Sequence, residues 1–324
     1  MKRVVVTGAA GFIGWHVAHL LEASGLDVVR SDLVRPQPAE DVWKKADLLS
    51  LHDVMELTRG ADAVCHLGGI GDVYTAGRDP QLALNVNACG TINVIEACKR
   101  NQIPRLVFAS TWEVYGTPRY QPVDENHPCS PGHPYAVSKL AADLLVQHAN
   151  IADGLTTTVL RLGTAYGPRI RSTAVLASFV RRAKAHEPIV INGTGNQFRQ
   201  FTHVTDIGTA FRLALEARGG SPVYNIVAEE SITIKQLAEL VGRLVPTQIT
   251  FGPSREDDAP PARVSSLLAE RELGWRAVIS FREGVEDFIR NAKSELSPIA
   301  DRKPAGPPSR QATYANPSAE GDLS

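Results

Sequence analysis

Thr7-Gly8-Ala9-Ala10-Gly11-Phe12-Ile13-Gly14 follows a β-branched run at residues 4–6 and precedes an apolar pattern of helical period at residues 11–24. This stretch therefore lies where a buried strand turns into a helix, the context in which a glycine-rich turn is informative. Gly8 permits the sharp turn, Gly11 lets a pyrophosphate approach the backbone, and Gly14 lets the helix pack closely. Together with Phe12 and Ile13 they predict a dinucleotide-binding turn at a helix N-terminus.

Strand and helix patterns alternate outward from this turn. Strands are predicted at 27–32, 63–67, 105–110 and 157–162, and helices at 83–100 and 138–151. This alternation predicts an α/β fold, a Rossmann-like doubly wound parallel sheet with helices on both faces.

The regular order ends near Gly167, where Pro and Gly begin to punctuate shorter segments. We predict an NAD-binding domain at 1–167, which also receives elements from about 200–227, and a smaller C-terminal α/β substrate-binding domain at 168–292. Residues 293–324 are Pro-rich and poor in large apolar side chains, so we predict a disordered tail.

The composition excludes several classes of protein. The 324 residues carry a formal net charge of -1, which gives no general attraction to nucleic acid or to an anionic membrane. The four cysteines form no CxxC pair and no spacing typical of a zinc site, so no metal is expected. No signal peptide and no apolar run of membrane-spanning length is visible, which predicts a cytoplasmic protein.

Asp32 ends the second predicted strand, 18 residues after Gly14 (32 − 14). A carboxylate at this place accepts hydrogen bonds from the adenosine ribose and repels a 2′-phosphate. The sequence therefore predicts NAD as the cofactor, although Arg35 lies close enough to weaken the preference over NADP.

Tyr135 and Lys139 lie four residues apart at the start of a predicted helix, on one face. A free phenol has a pKa of about 10, and lowering it to about 7 requires roughly 4 kcal/mol. An ammonium at about 4 Å supplies that order of energy at an effective dielectric constant near 20. Thr111, with Ser110 as the alternative, follows an apolar strand and could share the proton of a substrate hydroxyl.

These motifs together resemble the extended short-chain dehydrogenase/reductase superfamily, in particular its NAD-dependent epimerase/dehydratase family. The resemblance runs from about Lys2 to Arg290. It rests on TGAAGFIG at 7–14, Asp32, Asp47-Leu48, HLGG at 66–69, NACGT at 87–91, STWEVYG at 110–116, YAVSK at 135–139, RLGTAYGP at 161–168, RQFTHVTD at 199–206 and LGW at 273–275.

The resemblance implies roles for individual residues. The cofactor contacts it implies, beyond the glycine turn and Asp32, are Asp47, Leu48, Leu67, Gly68, Gly69, Asn87, Tyr135 and Lys139. Thr111, Tyr135 and Lys139 match the catalytic hydroxyl, phenol and lysine. Arg199 and Arg263 would bind the phosphates of a nucleotide-sugar substrate, near Thr164. Family members commonly dimerise through the helices at 83–100 and 138–151, so a homodimer is expected.

The activity implied is that of a nucleotide-sugar epimerase, most simply a 4-epimerase. Thr164, Gln200 and Ser265 depart from residues that many members carry, which leaves the sugar open. Glu113 follows Thr111 by two positions, as in nucleotide-sugar dehydratases and some decarboxylases, and is a candidate catalytic base. Trp112 stands where such dehydratases carry an acidic or hydroxyl residue. A dehydratase or decarboxylase is therefore the alternative; a reductase of a non-sugar carbonyl and a non-catalytic nucleotide-binding protein are weaker ones.

Overall fold

The computed structural model describes residues 1–34, 43–152, 155–217, 219, 222–254 and 262–295. The strands in these ranges are β1 (Arg3–Thr7), β2 (Asp27–Asp32), β3 (Trp43–Lys45), β4 (Ala63–His66), β5 (Arg105–Thr111), β6 (Thr156–Leu162), β7 (Thr164–Tyr166), β8 (Ile189–Asn192), β9 (Phe198–His203), β10 (Val223–Ile226), β11 (Ser231–Thr233) and β12 (Ile249–Gly252). The helices are α1 (Phe12–Ala23), α2 (Leu51–Thr58), α3 (Val73–Arg78), α4 (Pro80–Leu84), α5 (Gly90–Arg100), α6 (Pro134–Ala152), α7 (Val175–Lys184), α8 (Val204–Glu216), α9 (Ile234–Leu244), α10 (Leu267–Leu273) and α11 (Phe281–Glu295).

Seven parallel strands form the central sheet in the order β10-β6-β5-β4-β1-β2-β3. The order reverses between β1 and β4, because the chain leaves β1 toward β2 and later returns to add β4 on the other side. Loops after the carboxyl ends of these two strands diverge and open a crevice. The predicted Rossmann-like parallel sheet is confirmed, and the glycine turn lies at this crevice.

Helices cover both faces of the sheet, which explains why its strands are apolar on both sides. One face buries Val17 of α1 and Phe211 of α8. The other buries Val54 of α2, Val94 of α5 and Val146 of α6. Burial of this kind stabilises by roughly 25 cal/mol per Å² of apolar surface.

A second apolar cluster lies beyond the carboxyl ends of the sheet. It brings together α7, α9 and α11, with Phe179, Leu240 and Phe288 in its interior. Two small sheets accompany it: β11-β9-β7, of mixed direction, and the parallel pair β12-β8. Thr233 starts α9 with a reciprocal capping box to Gln236, which satisfies exposed amides of the first turn.

The two parts of the chain are interleaved. α8 packs on α1, and β10 is the seventh strand of the central sheet. Trp275, which follows α10, is buried in the core of the central sheet, and its indole N–H donates to the Asp206 carbonyl at 2.8 Å. Residues 268–275 thus pack with the sheet rather than with the second cluster.

The helix predicted at 83–100 is two α-helices, α4 and α5, joined by one turn of π-helix at Asn85–Cys89. The final helix α11 reaches Glu295, and the predicted tail beyond it lies outside the described residues, as does Arg35. None of the described helices has the length and apolar character needed to cross a membrane.

Candidate active site

The glycine turn packs too closely for side chains at two positions. Gly8 has a φ of +69°, and a Cβ there would lie 2.6 Å from the Gly68 amide nitrogen. A Cβ on Gly14 would lie 2.1 Å from the Gly8 carbonyl oxygen. Gly11 precedes α1, and no side chain caps the amides of its first turn. This uncapped turn fits the diphosphate of a dinucleotide, since free N–H groups and the helix dipole attract anions.

We expect Gly14→Ala to destabilise the protein by about 2 kcal/mol or more, because the helix must move away from the backbone of Gly8. NAD affinity should fall at least tenfold in calorimetric titration. Gly77→Ala is the matched control, because Gly77 lies in α3 with no atom within 4 Å of an added Cβ. Wild-type NAD affinity in the Gly14 variant would contradict the close packing.

A buried hydrogen-bond chain holds the loop after β4 against the glycine turn. Thr91 donates to the Asn87 carbonyl at 2.6 Å, so its oxygen accepts from His66 Nε2, 3.0 Å away. His66 Nδ1 then accepts from Thr7 Oγ1 at 2.7 Å, and Thr7 in turn accepts from the amides of Leu67 and Gly68. Burial lowers the pKa of His66 to about 3, which keeps the imidazole neutral. His66 is a structural residue of the crevice.

Asp32 lies at the end of β2 and is bound to the glycine turn. Its Oδ2 accepts from the Ala10 amide at 3.0 Å and its Oδ1 from the Leu33 amide at 2.8 Å. The carboxylate therefore fixes the turn and also reaches the crevice end of the strand, where the ribose was predicted.

Two of the other predicted cofactor contacts lie on the walls of the large cleft that is described below. Two more contact other parts of the protein. Leu67 and Gly69 line the large cleft. Asp47 turns its carboxylate to the Leu49 amide at 2.9 Å, and Leu48 packs against Gly68 and Gly90.

Asn87 lies in the π-helical turn and is fully engaged with the protein. Its Oδ1 accepts from the Ile70 amide at 2.7 Å, and its Nδ2 donates to the Ile70 carbonyl and to Ser138 Oγ at 3.1 and 2.8 Å. Asn87 therefore ties the loop after β4 to the helix that carries Tyr135 and Lys139. The prediction placed Asn87 near the active site, and these contacts make it a connector between two of its walls.

Ser110 and Thr111 end β5 and point to different surroundings. The Ser110 hydroxyl donates to buried Asp143 at 2.7 Å. The Thr111 hydroxyl accepts from the Glu113 amide at 3.3 Å, and Thr111 lines the cleft together with Tyr135. Thr111, rather than Ser110, faces the cleft beside Tyr135.

Tyr135 and Lys139 lie on one face of α6, as the spacing predicts. Burial, and then the Glu113 carboxylate, raise the pKa of the phenol above its usual range, against the Thr111 hydrogen bond and Arg171. Burial lowers the pKa of Lys139 to about 8, against the opposing charge of Asp143. The sequence argument weighed only the Lys139 ammonium and an oxidised nicotinamide, and it did not include burial, which raises the pKa of the phenol.

Glu113 lies in the 3₁₀ turn after β5 and lines the cleft. His133 Nε2 lies 2.9 Å from Glu113 Oε2, and both side chains are about a quarter exposed, at 29% and 26%. The contact between His133 Nε2 and Glu113 Oε2 has the distance of an ion pair without the alignment of a hydrogen bond, and Oε2 is buried. No sequence motif pointed to His133.

One cleft of about 840 Å³ brings most of the predicted site together. The predicted residues on its walls are Gly8, Gly11, Phe12, Ile13, Gly14, Leu67, Gly69, Thr111, Glu113, Tyr135, Lys139, Thr164 and Arg199. Arg263 is exposed, and its guanidinium lies 5.9 Å from the ring of Phe198, outside the lining.

Two features of the cleft were not predicted. Arg171 lines it and pairs with Asp72 at 2.7 Å, which joins the loop before α3 to the loop after β7.

Gln200, a departure from the family pattern, accepts from the Val264 amide at 2.6 Å and donates to the Ala228 carbonyl at 2.9 Å. Gln200 therefore holds the backbone of Val264 and Ala228 in place beside the cleft. Only the tertiary structure reveals this role, because both partners are distant from Gln200 in the sequence.

Comparison with known proteins agrees with this geometry. A model of the NAD dependent epimerase/dehydratase family matches residues 4–227. UDP-glucose 4-epimerase of Azospirillum brasilense is 30% identical over 322 residues, covering 90% of this chain and 91% of the relative. UDP-glucuronic acid decarboxylase 1 of Danio rerio is 29% identical over 316 residues, covering 93% and 75%.

Among solved structures, the Thermus thermophilus UDP-glucose 4-epimerase in complex with NAD superposes with a TM-score of 0.81. It is 29% identical, and the match covers 91% of this chain and 100% of that chain. The seven-stranded sheet, the glycine turn and the matched family model lead to one conclusion: this chain is an enzyme of the extended short-chain dehydrogenase/reductase class, belongs to the NAD dependent epimerase/dehydratase family and takes NAD as its cofactor.

Proposed function

We propose that the protein is a nucleotide-sugar 4-epimerase that uses bound NAD. The observation that carries the proposal is that Thr111, Tyr135 and Lys139 line the same cleft as the glycine turn. Lys139 lies one helical turn from the phenol, with its ammonium 4.3 Å from the Phe108 ring centroid. A substrate hydroxyl beside Tyr135 would thus meet a proton acceptor and a second hydroxyl.

The glycine turn, Asp32 and Lys139 would hold NAD, which supplies a hydride acceptor that gives the hydride back. Tyr135 takes the proton from the sugar hydroxyl oxygen and later returns it to the same oxygen. Thr111 orients that hydroxyl toward the phenol. Thr111 and the positive charge of Arg171 oppose the effects of burial and Glu113 on the pKa of the phenol, and the positive charge of an oxidised nicotinamide would act in the same direction.

Arg199 and Thr164 line the same cleft as the glycine turn, and we propose that a nucleotide diphosphate lies beside them. A guanidinium presents parallel N–H donors that suit phosphate oxygens. Arg263 would reach the substrate only from the rim, beside Phe198. We therefore assign the diphosphate to Arg199 first.

The test is to incubate the purified protein with NAD and a panel of UDP-, GDP-, CDP- and dTDP-sugars, and to follow the sugar protons by NMR. We expect one or more sugars to invert at C4 with no net NADH. Absence of any epimer across the panel, or NADH formed in proportion to product, would refute the proposal.

A second candidate, a dehydratase or decarboxylase, is favoured by one observation: the Glu113 side chain, which is 26% exposed, lines the same cleft as Tyr135. Such a carboxylate could remove a proton from carbon once the neighbouring position is oxidised. A keto product, released carbon dioxide or solvent deuterium in the sugar would support this activity. Unchanged turnover in Glu113→Gln would remove its basis.

We also propose that the protein is a homodimer through the outer face of α5 and α6. Val137, Leu144 and Ile151 recur every seven residues on α6 and are 47%, 55% and 81% exposed. Ile92 of α5 adds a side chain that is 46% exposed. Apolar residues in such a stripe are typical of a helical interface.

We expect Leu144→Arg to convert the dimer to a monomer in light scattering, because a buried guanidinium lacks a partner there. Val278→Arg is the control, since Val278 is 77% exposed and lies outside both helices. A wild-type protein that is monomeric at micromolar concentration would contradict the proposed interface.

A further inference from the structure

Glu113, His133 and Tyr135 come from two chain segments and meet at the N-terminus of α6. His133 Nδ1 accepts from the Ala136 amide at 3.3 Å, so His133 caps the helix. Because Nδ1 accepts, the ring proton is on Nε2, the atom that faces Glu113 Oε2 at 2.9 Å. The His133 ring also lies nearly parallel to that of Tyr135, at 8° with centroids 5.9 Å apart.

The contact between His133 and Glu113 offsets part of the cost of burying the Glu113 carboxylate. A carboxylate that is three-quarters buried is costly without a positive or donor group beside it. The Glu113 amide is bound to Thr111, which fixes the backbone but leaves the carboxylate free to rotate. The imidazole of His133, whose ring is held by the cap at Nδ1, lies against the carboxylate and limits this rotation.

We propose that His133 is a positioning residue that acts through Glu113. It holds the carboxylate in the cleft between its own imidazole and the Tyr135 phenol, so that a sugar hydroxyl meets a fixed acceptor beside the phenol. Oε2 itself is buried against His133, so a substrate hydroxyl would have to meet the other carboxylate oxygen. The catalytic part of this inference rests on the proposed epimerase function, whereas the contact itself does not.

Two substitutions separate positioning from helix capping. His133→Asn keeps an efficient cap but has a side chain too short to reach Glu113, whereas His133→Gln places an N–H donor near Nε2 but caps poorly. We expect His133→Asn to lower kcat for epimerisation roughly 10- to 100-fold with little change in KM, as misplacement of a reacting group does. His133→Gln should recover part of kcat while melting at a lower temperature.

If His133 only capped the helix, His133→Asn would retain kcat within twofold, and that result would overturn the proposal. The double variant Glu113→Gln/His133→Asn provides the second test. We expect it to be no slower than Glu113→Gln alone, since His133 has nothing left to position. A further tenfold loss in the double variant would show that His133 acts by another route.

The contact is measured without turnover by ¹⁵N NMR of protein with labelled histidine, the His133 signal being assigned by its loss in His133→Asn. We expect the Nε2-protonated tautomer in wild type and a displaced Nε2 signal in Glu113→Gln. If the signal moves while no nucleotide sugar is epimerised, the proposed function fails and the contact stands. An unmoved signal refutes the contact itself.

Discussion

Replacement of Tyr135 by Phe is expected to lower kcat about 10³-fold or more, because it removes the group that takes and returns the proton of the substrate hydroxyl. The phenol lines the cleft together with Thr111, and its ring would stay in place on α6. Affinities for NAD and for the nucleotide sugar should therefore change less than threefold. Steady-state kinetics with calorimetric titration of both ligands checks this split.

Tyr120→Phe is the matched control for this variant. Tyr120 is 44% exposed, and its phenol donates to Asp124 at 2.7 Å, away from the residues of the cleft. It should turn over like wild type. A Tyr135→Phe protein that retains most of its activity would mean that another group carries the proton.

Replacement of Asp143 by Asn is expected to produce the largest loss of stability, about 3–5 kcal/mol in the free energy of unfolding. Asp143 is fully buried, and its carboxylate pairs with Arg161 Nε at 3.0 Å. It also accepts from Ser110, and Arg161 continues the network to Tyr115 at 3.0 Å. Without the carboxylate, a guanidinium that is 5% exposed loses its counter-charge.

Urea denaturation checks the Asp143 prediction, with an unchanged m-value expected if the same surface unfolds. Glu286→Gln is the control, because it breaks only the exposed pair with Arg282 and should cost less than about 1 kcal/mol. A loss below 1 kcal/mol in Asp143→Asn would mean that the buried network contributes little. Asp143 also opposes the effect of burial on the pKa of Lys139, so the variant should lose alkaline activity as well.

The central sheet was predictable because its signals are local. Val4-Val5-Val6 and the glycine spacing determine one strand, one turn and one helix, and alternation extends them into a parallel sheet. The second apolar cluster and its two small sheets were less predictable. Its short strands, such as β8 and β12, pair across more than fifty residues, and no local pattern specifies such pairs.

The candidate site was predictable where a residue type has one chemical use. Tyr135, Lys139 and Thr111 meet in the cleft, as their motifs indicate. His133 was not predicted, because a histidine before a proline carries no spacing signal. An argument from charge alone leaves out desolvation, which raises the pKa of the phenol and which sequence does not report.

The bond between Asp32 and the Ala10 amide bears on any attempt to redesign coenzyme choice. Exchanging Asp32 for a small or basic side chain would relieve repulsion of a 2′-phosphate, yet would also leave the turn amide without its acceptor. A switch toward NADP therefore has to supply two things at once: room for the extra phosphate and a substitute oxygen for Ala10. A hydroxyl or carboxamide side chain at position 32 meets both needs, and a lone lysine or arginine meets only the first.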